Sequence, residues 1–349
     1  MKIVSIVGAR PQFIKAASIS RALKNWHQEI LVHTGQHYDY EMSEVFFAEL
    51  ELPLPQYQLN VGSASHGVQT GRMLIGIEEV LIAEQPDWVL VYGDTNSTIA
   101  GTLAAAKLHL KVAHIEAGLR SFNRDMPEEI NRVLADHLST LLLCPSETAK
   151  LNLKAEGIEK GVHVVGDIMA DALLFAREKA NKHSSILNTL NLKPKSYLLT
   201  TVHRAENTDN EANLLSIIHA LDQLSELVVF PVHPRTRAVL DRLNYKPKPH
   251  VLLLEPVGYF NMLMLEESAR LILTDSGGVQ KEAYWLGIPC ITLRNETEWI
   301  ETVQLGWNIL VGANDDQIIQ AVQSFKPSAT RPVLYGDGHS AECCIKLLE

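Results

Sequence analysis

Short apolar runs rich in valine, isoleucine and leucine recur along this chain with helical patterns between them, and that alternation limits its fold more than any other feature. IVSIV, EILVHTG, WVLVYGD, VAHIEAG, LLLCPS and HVVGD occupy the first half, and YLLTTV, LVVFPV, HVLLLEP, RLILTDS, PCITL and NILVG the second. Continuous apolar runs of this length suit strands buried on both faces, and helices between them are what parallel neighbours require. The intervening segments carry apolar residues at helical spacing, as in Phe13, Ile14, Ala17, Ile19 and Leu23. They predict helices laid on the faces of a parallel sheet.

At 349 residues the chain exceeds what one hydrophobic core usually serves. The two sets of strands are separated after Gly166 by an alanine-rich helical stretch and the polar segment KHSSILNTLNLKPKS. The reading is α/β, with two Rossmann-like doubly wound domains: an N-terminal one over residues 1–168 and a C-terminal one over 169–330. A hinge is expected near residues 165–180, and the last helix, around AECCIKLLE in residues 331–349, is expected to pack back on the first domain. Ligands of such sheets sit beyond the carboxyl ends of the strands. Two facing domains therefore predict a cleft lined by polar strand ends.

Several function classes drop out on composition. A net charge of −10 without a basic stripe argues against a nucleic-acid surface. Cys144, Cys290, Cys343 and Cys344 show neither metal-type spacing nor a disulfide framework, which fits a reducing cytoplasm. MKIVSIVGARP resembles a buried first strand rather than a signal peptide, and no run is long enough to span a bilayer. Neither a G-x-S-x-G elbow, an H-E-x-x-H motif nor a P-loop signature is present. The first strand ends in GARPQFIK, without the G-x-G-x-x-G of a dinucleotide fingerprint. The expectation is an enzyme that uses no NAD, no metal and no other cofactor.

The strand ends carry the chemistry. Arg10 and Lys15 flank the first turn, where two cations near a helix start suit a diphosphate, or form a solvated pair. In TDSGG, Ser276 can cap the next helix while Gly277 and Gly278 bare its N–H groups for an anion; a plain capped turn is the alternative. Glu282, one turn in, can accept from sugar or ribose hydroxyls. His203 and Arg204, ending YLLTTV, can donate to phosphate oxygens, and His203 can move a proton or be an ordinary loop histidine. His233-Pro234-Arg235 adds a second such pair. Asp94 in YGDTNST, Glu116 in HIEAGLR, and Glu128 with Glu129 in MPEEINR place carboxylates at strand ends, for chemistry or for helix capping.

Taken in order, GARPQFIK, TGQHYDYEM, YGDTNST, HIEAGLRS, MPEEINR, HRAEN, HPRTR, EPVGY, TDSGGVQKEA and YGDG resemble the non-hydrolysing UDP-N-acetylglucosamine 2-epimerase family. The resemblance runs to Gly338. It implies a GT-B-like fold with the active site in the cleft, a homodimer, and a UDP-amino sugar as substrate. It further implies that Ser276, Gly277 and Gly278 hold the diphosphate and Glu282 the ribose. Arg10, Lys15, His203 and Arg204 then surround phosphate and sugar, and Asp94, Glu116 and Glu128 match the family's catalytic carboxylates. Trp299 stands where the family commonly has arginine, and Gln12 where glutamate is frequent. These departures resemble a branch acting on UDP-2,3-diacetamido-2,3-dideoxy-glucuronic acid for bacterial surface polysaccharide. TGQHYDYEM differs from the form seen where a second, activating UDP-sugar binds, so such activation is expected to be absent.

The C2 hydrogen of the sugar lies beside no carbonyl, so its direct removal leaves an unstabilised carbanion. Breaking the C1–O bond to UDP first gives an oxocarbenium-like centre next door and makes that hydrogen acidic. Elimination to a 2-acetamidoglucal, followed by re-addition of UDP, is the expected route, with a carboxylate taking the C2 proton. A retaining glycosyltransferase would use the same fold and UDP contacts but needs an acceptor. A silent UDP-sugar sensor would have lost a carboxylate, and a hydrolysing epimerase would accumulate UDP.

Overall fold

The structure, a computed structural model, describes residues 1–35 and 51–349, and of Arg10 the backbone alone. It consists of two units, Met1–Leu174 with Val333–Glu349, and Phe175–Pro332. The division falls within the helix Ile168–His183.

Unit 1 is built on strands β1 (Lys2–Val7), β2 (Gln28–His33), β3 (Tyr57–Gln58), β4 (Trp88–Tyr92), β5 (Lys111–Ile115), β6 (Leu141–Cys144) and β7 (Val162–Val164). They form one sheet in the order β3-β2-β1-β4-β5-β6-β7, every pair parallel. Unit 2 carries β8 (Tyr197–Thr201), β9 (Leu227–Pro231), β10 (Val251–Leu254), β11 (Leu271–Thr274), β12 (Cys290–Thr292) and β13 (Asn308–Leu310). Their order is β10-β9-β8-β11-β12-β13, again all parallel. Both units are thus doubly wound α/β sheets, as the alternation of patterns predicts.

The apolar runs are continuous because both faces of each sheet are covered. In unit 1 Val4, Ile6, Val32, Val89 and Val91 pack against Met73, Ile77, Ala100 and Ala104 of the helices His66–Glu84 and Asn96–Lys107. In unit 2 Leu198, Val228, Phe230 and Leu273 meet Ile217, Leu221 and Ile318 on one face. Tyr197, Leu199, Val229 and Ile272 meet Leu265 and Ala283 on the other. The chain end returns to unit 1: the Trp88 indole donates to the Leu348 carbonyl at 3.0 Å, and the Asp167 N–H donates to the Tyr335 carbonyl at 2.6 Å.

In each unit the strand order reverses at one place, between β1 and β4 and between β8 and β11. A crevice opens at the carboxyl ends of strands where the order reverses. Among the described residues no helix is long and apolar enough to cross a membrane.

Candidate active site

In unit 1 the reversal point gathers the groups that follow β1, β4 and β5. The turn after β1 is held by Gln12, whose side chain is 1% exposed. Its Oε1 accepts from the N–H groups of Gly8 (2.8 Å) and Ala9 (3.1 Å), and its Nε2 donates to the Tyr92 carbonyl at 2.8 Å. Glutamine suits this position because a carboxylate there would set lone pairs against that carbonyl. The helix Arg10–Leu23 starts at this turn, and the Arg10 side chain lies outside the described residues.

Lys15, one turn in, puts its ammonium on the Glu116 carboxylate at the end of β5. Burial works against the Lys15 charge, but Glu116, with Asp167 and Asp94 further off, outweighs it and holds the pKa above the ordinary amine value. Gly93 makes room for the pair: a Cβ there would stand 3.2 Å from Glu116 Oε2 and 3.3 Å from Lys15 Nζ. Its φ of +61° also falls where glycine is favoured. Glu116 itself has φ +72°, a costly conformation for a non-glycine residue and one concentrated at functional sites.

Asp94, next to Gly93, is ion-paired with Arg132 on the helix Pro127–Leu138. Burial lifts the Asp94 carboxyl above its ordinary value; Arg132 pulls it down, and the nearby Glu116 adds to the rise. Arg132 also reaches Glu129 at 3.1 Å. Glu129 is buried and accepts from the N–H groups of Ser121 (2.9 Å) and Phe122 (3.0 Å), so it fixes the loop that leads into the helix. Glu128 is exposed in the first turn of the same helix. The two adjacent glutamates therefore differ: one is a buried brace, the other faces solvent.

Behind these groups lies a network that the sequence did not suggest. His114, in β5, is fully buried; its Nδ1 meets Asp136 Oδ1 at 2.7 Å and its Nε2 meets the Gly93 carbonyl at 2.7 Å. Both nitrogens face acceptors, so each must carry a proton for both bonds to form. Asp136 Oδ2 accepts from the Gly118 N–H (3.1 Å) and from Arg120 (2.6 Å), which in turn forks onto Glu156 at 2.7 and 2.8 Å. Burial alone would raise the Asp136 carboxyl, but His114 and Arg120 hold it below its ordinary value.

In unit 2 the TDSGG segment divides its labour. Asp275 is buried and accepts from the N–H groups of His203 (3.1 Å) and Arg204 (3.0 Å) and from the Asn207 amide (3.0 Å), tying the end of β8 to the end of β11. Ser276 caps the helix Gly277–Leu286, its Oγ accepting from the Val279 N–H at 3.4 Å. A Cβ on Gly277 would lie 3.3 Å from Trp299 Nε1, 3.6 Å from Glu298 Oε2 and 3.7 Å from Arg204 Nη2, so polar groups converge on the bare first turn. Such a terminus favours an anion.

His203 stands beside it, with Nδ1 3.4 Å from Asp275 Oδ1 and its ring 5.5 Å from that of His233. Burial lowers its pKa; Asp275 pulls upward, while His233, Arg204 and Arg235 push down, leaving it below the ordinary value. A neutral imidazole at neutral pH can accept a proton. Glu282 is buried and accepts from the Tyr259 hydroxyl at 3.3 Å. Burial and the charge of Glu282 hold the neighbouring Glu266 carboxyl well above the usual range.

The structure thus brings Lys15, Asp94 and Glu116 together in unit 1, and His203, Arg204, Ser276 and Gly277 together in unit 2. Of TGQHYDYEM, on which the expected absence of activation by a second UDP-sugar rests, the residues beyond Gly35 lie outside the described residues. Among the described residues no three histidine, cysteine or acidic side chains cluster as metal ligands do.

Two doubly wound units, one with paired carboxylates and a lysine at its strand ends and the other with a capped, glycine-started helix beside cations, define a nucleotide-sugar enzyme architecture. The family model described as UDP-N-acetylglucosamine 2-epimerase matches residues 21–349. A UDP-N-acetylglucosamine 2-epimerase homolog of Methanococcus maripaludis is 56% identical, over 100% of this chain and 99% of its own length. A UDP-2,3-diacetamido-2,3-dideoxy-D-glucuronate 2-epimerase of Pseudomonas aeruginosa is 49% identical, over 98% and 97%. The crystal structure of Methanocaldococcus jannaschii UDP-GlcNAc 2-epimerase in complex with UDP-GlcNAc and UDP superposes with a TM-score of 0.88 at 47% identity, covering 100% of this chain and 99% of that one. The chain belongs to the UDP-N-acetylglucosamine 2-epimerase family.

Proposed function

We propose that this chain inverts C2 of a UDP-N-acetylamino sugar without hydrolysing it, by eliminating UDP to a 2-acetamidoglucal and adding it back. The observation that carries this reading is the meeting of Asp94, Glu116 and Lys15 at the reversal point of unit 1. The C1–O bond breaks with its electron pair passing to the UDP oxygen, and the C2 proton passes to a carboxylate. Re-addition from the planar glucal, with a proton delivered to the other face of C2, gives the epimer.

Unit 2 supports the leaving group. The helix start at Ser276, Gly277 and Gly278 and the Arg204 guanidinium favour the charge that develops on UDP, and Glu282 suits ribose hydroxyls. By resemblance to the family, Arg10 and Lys15 are assigned to the phosphate and sugar surroundings. In unit 1 the two carboxylates have unlike partners: Glu116 meets the Lys15 ammonium, while Asp94 meets Arg132 and is lifted above its ordinary carboxyl value by burial. Environments that set paired carboxyls apart suit one to take a proton and another to return it, with Glu128 and His203 as the further groups available.

The substrate is either UDP-N-acetylglucosamine, giving UDP-N-acetylmannosamine, or UDP-2,3-diacetamido-2,3-dideoxy-glucuronate; Trp299 and the Pseudomonas aeruginosa relative favour the second. Each nucleotide sugar is incubated separately with the enzyme and the products are resolved by anion-exchange chromatography. Conversion of one to its manno epimer identifies the substrate. Accumulation of UDP with free sugar contradicts a non-hydrolysing reaction.

The working form in this reading is a cytoplasmic homodimer. Val68, Ile75 and Ile82 are exposed on the helix His66–Glu84 at intervals of seven residues, a stripe that a second copy can cover. Light scattering on the eluting protein is expected to give twice the chain mass, and Ile75→Glu with Ile82→Glu is expected to give monomer. A wild-type monomer at micromolar concentration contradicts the dimer.

A further inference from the structure

We propose that the indole N–H of Trp299 is a phosphate donor in the nucleotide site and takes the place of the arginine found there in the family's pattern, with the buried Lys281 ammonium strengthening it from behind. This rests on the reading of unit 2 as the UDP-binding unit and adds to it a binding residue.

Three observations converge. Trp299 Nε1 stands 3.3 Å from where a Gly277 Cβ would be, with Arg204 Nη2 at 3.7 Å from the same point. An anion resting on the first turn of the helix Gly277–Leu286 therefore meets backbone N–H groups, a guanidinium and an indole donor together, while the Glu298 carboxylate, 3.6 Å from the same point, is ion-paired with Arg294. Gly278 adds no obstruction, since a Cβ there would find only Ser276 Oγ, at 3.8 Å, among its neighbours.

The second observation is the charge behind the ring. Lys281 is 4% exposed, and its Nζ lies 4.0 Å from the Trp299 ring centroid and 5.6 Å from that of Trp285. A cation on the face of an indole is attracted by the ring and draws its electron density, leaving the N–H at the edge more positive. An arginine at position 299 would instead bring a second cation against this buried ammonium. The positive charge thus sits at residue 281 and the donor at residue 299.

The third is the rigidity of the segment that presents the ring. Arg294 forks onto Glu298 at 3.0 and 3.1 Å. The Trp299 backbone N–H donates to Thr297 Oγ1 at 3.1 Å, and Thr302 Oγ1 donates to the Trp299 carbonyl at 2.7 Å. A donor held this way loses little freedom when a phosphate arrives.

The test is calorimetric titration of the full-length protein with UDP. Trp299→Phe keeps an aromatic face over Lys281 and removes the N–H; benzothienylalanine at position 299 keeps the bicyclic shape and removes only the donor. Both are expected to weaken UDP by about tenfold or more, the scale of a hydrogen bond to a charged group. The benzothienyl protein is expected to melt within a degree or two of wild type without ligand. Unchanged UDP affinity in the benzothienyl protein overturns the role given to Trp299 while leaving the UDP site intact. A wild-type protein that fails to bind UDP at millimolar concentration overturns the nucleotide reading of unit 2, and the role of Trp299 with it.

Discussion

Replacing Glu116 with glutamine is expected to lower turnover by a factor of about 10² to 10⁴ while leaving UDP binding in place. The substitution keeps the shape of the side chain and removes the carboxylate that meets Lys15 at the end of β5. If that carboxylate handles the C2 proton or the charge at C1, the loss falls on kcat, because Glu116 is not among the groups proposed to hold UDP, which apart from Arg10 belong to unit 2. Lys15 then loses the partner that outweighs its burial, and its pKa is expected to drop. Asp94 loses a negative neighbour that raises its own pKa, so any residual activity should shift its acidic limb downward in pH. Glu128→Gln, at an exposed position, isolates the third carboxylate without disturbing this cluster. Wild-type turnover in both variants, and in Asp94→Asn as well, would rule out carboxylate catalysis.

Asp136→Asn is expected to destabilise unit 1 by about 3–5 kcal/mol, the scale of a buried ion pair that loses one partner. Asp136 accepts from His114, Gly118 and Arg120 through two oxygens. Asparagine offers one oxygen and sets an NH₂ group against the remaining donors. For a unit of this size the loss corresponds to a melting transition lowered by roughly 6–20 °C. The sign with pH follows from the depressed folded-state pKa of Asp136. Its contribution is present above the ordinary carboxyl value of 3.8 and is lost as pH falls through the lower folded value, so wild type and variant should converge in acid. Turnover should fall as well, because His114 holds the Gly93 carbonyl beside Asp94. A melting temperature within two degrees of wild type contradicts this account of the network.

The parallel sheets were legible because a strand covered on both faces needs an unbroken apolar run, and twelve such runs appear. β3, two residues long and at the sheet edge, is too short to carry a pattern. At the site, residues announced by turn chemistry could be read: Ser276 as a cap, the glycines after it, Asp94 and Glu116 at strand ends. His114 could not, since its place between apolar neighbours in β5 does not reveal that its partner is 22 positions away on the helix Pro127–Leu138. Arg132 and Glu129 lie three apart on one helix face, a spacing that signals an ordinary surface pair and hides the reach to Asp94. Asp275 gives no signal of its own within TDSGG, yet its side chain serves the backbone of β8's end. The departures at Gln12 and Trp299 acquire reasons only from geometry: one donates to a carbonyl, the other lies against a buried ammonium.

Proton NMR of the reaction in D₂O tests the central claim most directly, with UDP-N-acetylglucosamine and UDP-2,3-diacetamido-2,3-dideoxy-glucuronate supplied separately. The account predicts deuterium at C2 of a manno-configured UDP-sugar from one of the two, because the C2 proton leaves for a carboxylate and is replaced from solvent. A manno product that retains its C2 hydrogen, or no product and no exchange with either substrate, would contradict it.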